Sequence, residues 1–223
     1  MNKKQIIYLS ISLTLLFSFC VWTLLVIFVD VKPVGVNSSN IGLSTMNKVF
    51  FNLTGSNMTL YTITDWLGLV SIAICVGFGV LGLIQLIKRR SLFKVDKDIL
   101  ILGVYYVIVI LMYLIFEMIP INYRPVLIEG RMETSYPSST TLLVLSVAPT
   151  LSFEIHKRNK NKTIVILIHS INICFSLFMV IGRLISGVHW LSDIIGSIIL
   201  SSGLFVLYLF VESKLNHQNG IQR

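Results

Sequence analysis

Apolar residues run almost unbroken over residues 6–29, 66–87, 99–119, 138–153, 163–181 and 191–211, and the polar residues gather in the gaps. Runs of this kind form helices, and about 18 or more apolar residues are enough to cross roughly 30 Å of hydrocarbon. The pattern predicts an all-α integral membrane protein, a six-transmembrane-helix bundle forming a single membrane domain over residues 1–223. The first run follows Met1-Asn2-Lys3-Lys4. It is too long for a signal-peptide core and no small-x-small cleavage site follows, so a signal-anchor span is expected. Residues 41–53 carry a weaker, amphipathic pattern that predicts a helix lying along the membrane surface. No internal repeat or low-complexity linker interrupts the chain.

Composition narrows the function classes. With 55% hydrophobic and 13% charged residues and a mean hydropathy of +0.84, the chain is neither a soluble enzyme, a disordered regulator nor a disulfide scaffold. The net charge is +8, from 18 Lys and Arg against 10 Asp and Glu. Five basic residues, Lys32, Lys48, Arg124, Arg131 and Arg183, fall at one set of span ends, and the remaining 13, Arg223 among them, fall at the other. The positive-inside rule then makes both termini cytoplasmic, along with His156 and His217. Trp66 and Trp190 fall at outer span ends, where indoles anchor at the interface. The basic residues form short clusters rather than a stripe interleaved with aromatics, so no nucleic-acid partner is expected. Cys20, Cys75 and Cys174 lie in separate apolar runs without metal-ligand spacing, and are read as small core residues. No metal or cofactor is expected. The three Asn-x-Ser/Thr sequons at Asn37, Asn52 and Asn57 fit chance in an Asn/Ser/Thr-rich loop.

Chemistry concentrates where the fifth span ends and the sixth begins. In Gly182-Arg183-Leu184-Ile185-Ser186-Gly187-Val188-His189-Trp190-Leu191-Ser192-Asp193, an Arg, a His and an Asp gather at the outer boundary. His189 and Asp193 are four apart, on one face of a first helical turn. An Asp that accepts the imidazole N–H leaves the other nitrogen free to attack. The alternative is an interfacial His with an Asp favourable to the helix dipole. Arg124-Pro125 lies in the outer loop over residues 120–137, and Tyr136-Pro137-Ser138-Ser139-Thr140 opens the fourth span. A helix N-terminus offers free amides to an anion, and Arg124 and Arg183 add planar forks that match phosphate oxygens.

Together these segments resemble the type 2 phosphatidic acid phosphatase superfamily, whose motifs are Lys-x6-Arg-Pro, Pro-Ser-Gly-His and Ser-Arg-x5-His-x3-Asp. Here the third is Arg183-x5-His189-x3-Asp193 with Gly182 in the Ser place, the first keeps Arg124-Pro125, and the second reads Pro137-Ser138-Ser139-Thr140. The resemblance covers about residues 60–210, leaving 1–59 as signal-anchor span and outer loop. It implies phosphoryl transfer in which His189 is the nucleophile of a phosphohistidine pathway and Asp193 orients it. Arg124, Arg183, Ser138 and Ser139 would bind the phosphoryl oxygens.

Two departures bear on function. Glu117 stands where the first motif has Lys, and Thr140 stands where the second has a His that protonates the leaving group. General acid catalysis is worth about 10²–10⁴-fold, but a phosphate leaving group, with a second pKa near 6, departs without it. A polyprenyl diphosphate is therefore expected to be a better substrate than a phosphate monoester such as phosphatidic acid. Glu133, Glu129, Tyr136 and Tyr123 are candidates for a replacement acid, Glu133 being the carboxylate nearest the span-four entry; His169 is expected to be a bundle residue.

The expected function is a lipid phosphatase or diphosphatase of a bacterial plasma membrane, with its site facing outside. Membrane lipids and the lipid phosphate substrate are its partners, and no obligatory protein partner is expected. In that setting the resemblance points to undecaprenyl diphosphate recycling for cell-wall synthesis, or to dephosphorylation of a phospholipid precursor. The alternatives are a catalytically impaired member that binds or senses lipid phosphates, and, less well supported, a transporter.

Overall fold

A computed structural model describes residues 1–221, and side chains through residue 215. Arg223 and the side chain of His217, both assigned above to the cytoplasmic side, lie outside the described residues. The described chain is helical: α1 (Lys3–Phe28), α2 (Ser44–Thr54), α3 (Met58–Arg89), α4 (Lys97–Met118), α5 (Ser139–Arg158), α6 (Lys162–Ile185) and α7 (Leu191–Ile221), with single 3-10 turns at Val36–Ser38 and Leu92–Lys94. Each predicted apolar run lies on one helix, and the amphipathic stretch supplies α2. Five helices, α1, α3, α4, α6 and α7, are long and apolar enough to cross a membrane; the protein is a multi-pass membrane protein. The sixth predicted span, α5, is not among them.

The boundaries follow local chemistry. Asn2 and Gln5 form a reciprocal capping box at the start of α1. Asn57 caps α3 by accepting from the Leu60 amide at 2.9 Å, which starts that helix more than two turns before the apolar run at residue 66. The sequon at Asn57 is thereby occupied as a helix cap.

The bundle is sorted for an apolar solvent. Large side chains point outward from the spans, Phe17 and Trp66 each 70% exposed, while buried positions include Ser12, Thr64, Thr141, Ser197 and Ser201. Hydroxyls hydrogen-bond inside because lipid offers them no partner. Ser12 Oγ donates to the Gly203 carbonyl at 3.0 Å and Tyr105 to the Ser146 carbonyl at 3.2 Å. The same sorting corrects the cysteines. Cys20 and Cys174 are exposed on outward faces and Cys75 is half-buried, since a thiol is apolar enough to face lipid without a partner.

Helix α5 is the most polar helix of the bundle and packs against α3, α4, α6 and α7. At its C-terminal end, buried Glu154 accepts from Tyr208 at 2.8 Å and from Arg158 at 2.9 Å, and Lys157 pairs with Asp98 and Glu212. A buried carboxylate is tolerated when its charge and lone pairs are met in this way. This network fixes one end of α5; the other end carries the site.

Candidate active site

The N-terminus of α5, the α6–α7 connection and the loop between α4 and α5 converge at the opposite end of the bundle. The α6–α7 connection is held from three sides. Gly187 has φ +67° and lies where a Cβ would sit 2.0 Å from the Gly55 carbonyl oxygen, so this position requires glycine. The Ser186 carbonyl accepts from the Asn57 amide at 2.9 Å. Asn47 of α2 accepts from the Ser192 amide at 3.0 Å and donates to its hydroxyl at 2.9 Å. Trp190 is 3% exposed and donates through its indole to the Tyr123 carbonyl at 2.7 Å. It is a packing anchor between loops and not the interfacial indole expected from its place in the sequence; Trp66 alone of the pair faces outward.

His189 is buried. Its Nδ1 lies 3.0 Å from the Ser135 carbonyl oxygen, an acceptor that requires the proton on Nδ1 and leaves the lone pair on Nε2. Nε2 is buried and has no hydrogen-bond partner within the protein. Asp193 is near but differently engaged. Its Oδ2 lies 3.8 Å from Nδ1, beyond hydrogen-bond reach, and accepts instead from the Trp190 amide at 2.8 Å. The expected Asp–His hydrogen bond is therefore replaced: the Ser135 carbonyl sets the tautomer, while Asp193 holds the turn through the Trp190 amide.

The two arginines reach the same place from different elements. Arg183 leaves α6 at Gly182, where the close approach of α3 puts Thr64 Cγ2 2.7 Å from a would-be Cβ. It is 1% exposed. Its Nη2 donates to Asp65 Oδ1 at 2.8 Å and to Thr140 Oγ1, while Nε and Nη1 are buried without partners. Arg124 sits on a hairpin-like loop in which its amide donates to the Glu133 carbonyl at 3.0 Å. Its Nε lies 3.2 Å from Glu133 Oε2, and its Nη1 is buried without a partner. Both guanidinium groups lie over the Tyr61 ring, at 5.0 Å for Arg183 and 5.8 Å for Arg124, so one aromatic ring contacts both like charges.

The remaining candidates divide. Ser138 is fully buried and its hydroxyl donates to Thr141 at 3.0 Å, so its side chain secures the first turn of α5 and does not reach out as a phosphate ligand. Ser139 lines the cavities on both sides of the turn. Glu133 is paired with Arg124, which corrects its reading as a free replacement acid. Glu117 does face the site: it lines, with Tyr113, Ser135, Ser139 and His189, a small cavity of about 10 Å³, room for roughly one water. His169 is remote, its ring 6.0 Å from that of His156 beside a separate cavity. Among the described residues no group of three or more His, Cys, Asp and Glu side chains could hold a metal ion.

From Asp65, Ser139 and Thr140 a groove of about 410 Å³ runs between α3, α4 and α5, lined by Gly68, Leu69, Ile72, Val109, Ile110 and Leu143 among others. It is polar at the arginine end and apolar elsewhere. Tyr61 and Asp65 escaped the sequence reading because they were placed in a loop; the Asn57 cap was the signal that could have put both on α3, one turn apart on one face.

Burial, and the positive charges of Arg124 and Arg183, hold the His189 imidazolium pKa well below the ordinary 6.5. The ring is neutral at and below neutrality. A kcat/KM profile corrected for substrate ionisation is thus expected to show no His189 limb between pH 7 and 6, its acid limb lying well below pH 6.5. A limb centred at pH 6.5 or above would contradict the buried, arginine-flanked ring. The sign for stability is the same: the unfolded imidazole takes up a proton near 6.5 and the folded one does not, so stability falls as pH drops below 6.5.

The model of the PAP2 superfamily matches residues 15–216. Among solved structures, the chain is similar to the first transmembrane PAP2 type phosphatidylglycerolphosphate phosphatase from Bacillus subtilis, at 16% identity and a TM-score of 0.59, covering 91% of this chain and 96% of that one. At that identity the likeness is one of fold. A sequence comparison with curated proteins finds no match.

Proposed function

The chain belongs to the PAP2 superfamily, and from that premise we propose that it is a membrane lipid phosphatase that transfers a phosphoryl group from a lipid diphosphate to His189 and then to water. One observation carries this reading: the unpartnered buried nitrogens of Arg124, Arg183 and His189 belong to neighbouring side chains that Tyr61 and the N-terminus of α5 hold together. Buried guanidinium donors without acceptors are costly in a native protein, and an anionic ligand is what satisfies them, while the Nε2 lone pair of His189 is left for an electrophile such as its phosphorus. Nε2 of His189 attacks phosphorus, the arginines take up charge on the equatorial oxygens, and the leaving group departs in line.

The substrate follows from the same geometry. The groove between α3, α4 and α5 offers a lipid chain an apolar path that ends at Ser139, Thr140 and the Arg183–Asp65 pair. The position of the missing His is not refilled by an acid: Thr140 is a hydroxyl that accepts from Arg183, and Asp65 is ion-paired. A diphosphate, whose leaving group is already a stable anion, fits this arrangement better than a monoester. Helix α5, with 20 residues and about 30 Å of length, completes a six-span topology. The Lys/Arg distribution then supports cytoplasmic termini and a site at the outer face of the membrane.

The test is phosphate release by the detergent-purified protein with undecaprenyl diphosphate and phosphatidic acid side by side. We expect kcat/KM at least about 100-fold higher for the diphosphate, the lower end of the range a general acid supplies. Faster release from phosphatidic acid would overturn the leaving-group argument. Binding without release from either would favour the second reading, a lipid-phosphate binding protein in which Thr140 marks lost catalysis.

A further inference from the structure

Hydrolysis through His189 needs two steps, and the second requires activation of a water. The in-line geometry of phosphoryl transfer sends that water in from the side the leaving group has vacated. On the reading above, the lipid portion occupies the groove between α3, α4 and α5, and that side is then its polar end. The acidic side chain lining that end is Asp65. Its Oδ1 is held 2.8 Å from Arg183 Nη2, and its side chain is 55% exposed while that of Arg183 is 1% exposed. The other carboxylates of the site lie elsewhere: Glu133 is bound to Arg124, Asp193 is enclosed under the Trp190 turn, and Glu117 borders the small cavity on the α4 side of His189.

We propose that Asp65 is the general base of the dephosphorylation step, an inference that rests on the His189 phosphatase reading above. With Arg183 bridging the carboxylate and the phosphoryl oxygens, one water spans the gap between Oδ and phosphorus. The water oxygen bonds to phosphorus and the P–N bond breaks, its electron pair returning to Nε2. The water proton passes to Asp65, which loses it to solvent through its exposed face. The ion pair with Arg183 holds the carboxylate at that end of the groove, where a base for the incoming water is needed. This divides the labour that a single leaving-group-side imidazole would otherwise carry: the diphosphate needs no acid to leave, and Asp65 supplies the base for water.

The experiment uses the full-length protein and a polyprenyl diphosphate labelled in its terminal phosphate. Asp65→Asn keeps an oxygen for Arg183 and removes the basicity. It is expected to release one equivalent of lipid monophosphate in a burst, retain acid-labile, base-stable label on the protein, and turn over about 100-fold more slowly than wild type. The burst itself reports an intact fold and first step. Steady turnover of D65N within about threefold of wild type, or loss of the burst together with turnover, would overturn the proposal, the latter marking a positioning role only. A stalled phosphoenzyme in Glu117→Gln with none in D65N would move the base to α4 and also overturn it. Wild type that neither labels nor releases phosphate would remove the underlying phosphatase reading instead, and is distinguished by the absence of label in every variant.

Discussion

His189→Ala is expected to reduce phosphate release by on the order of 10⁴-fold or more, the scale set by removing a covalent nucleophile. The loss should be chemical and not structural. The imidazole makes one hydrogen bond, to the Ser135 carbonyl, whereas the turn around it is held by bonds that survive the substitution: Trp190 amide to Asp193, Trp190 indole to the Tyr123 carbonyl, and Asn47 to Ser192. Expression and thermal stability in detergent should therefore change little while activity disappears. His189→Asn, which can still donate to Ser135 but has no Nε2, is expected to be as inactive as alanine. Parallel assays of the three proteins check this, and retention of more than a tenth of wild-type turnover by either variant would exclude His189 as nucleophile.

Arg183→Lys is expected to lower kcat/KM by about 10²–10³-fold, mostly through kcat, comparable to removing a preorganised donor from a transition-state site. The charge survives and the geometry does not. Arg183 uses one nitrogen to hold Asp65 and Thr140 while its other two are unpartnered, and a lysine ammonium cannot serve both sides from one point. Lysine also loses the planar stacking on Tyr61 at 5.0 Å that lets Arg183 and Arg124 lie side by side. Steady-state kinetics separating kcat from KM is the measurement; near-wild-type kcat in the lysine variant would mean that the guanidinium does not contact the transferring group.

Part of this site was legible in the chain. Arg183, His189 and Asp193 lie within eleven consecutive positions, and a motif that compact can be read without coordinates. Roles that depend on a partner from another element were not. Asp193 was expected to orient His189 because the two are four apart, yet the turn brings the Ser135 carbonyl closer to the ring than the carboxylate, since the Trp190 amide claims Asp193 first. Glu133 is a candidate acid by its nearness to the span-four entry; its partner, Arg124, lies across a loop. Asp65 and Tyr61 were lost to a boundary error, as an apolar-run criterion starts α3 at Trp66 and ignores the two polar turns that project beyond the hydrocarbon.

The sequence by itself determined the helices, because in lipid each backbone amide must be satisfied within its own segment and unbroken apolar runs permit only that solution. It also determined that Arg183, His189 and Asp193 stand together where two spans join, because they fall within eleven consecutive positions. Only the tertiary structure decided which charges face one another. Pairing between side chains 118 positions apart, as for Arg183 and Asp65, is set by the angle and depth at which helices pack, down to a contact as small as Gly182 against Thr64. Those quantities arise from the whole bundle and leave no periodic trace along the chain.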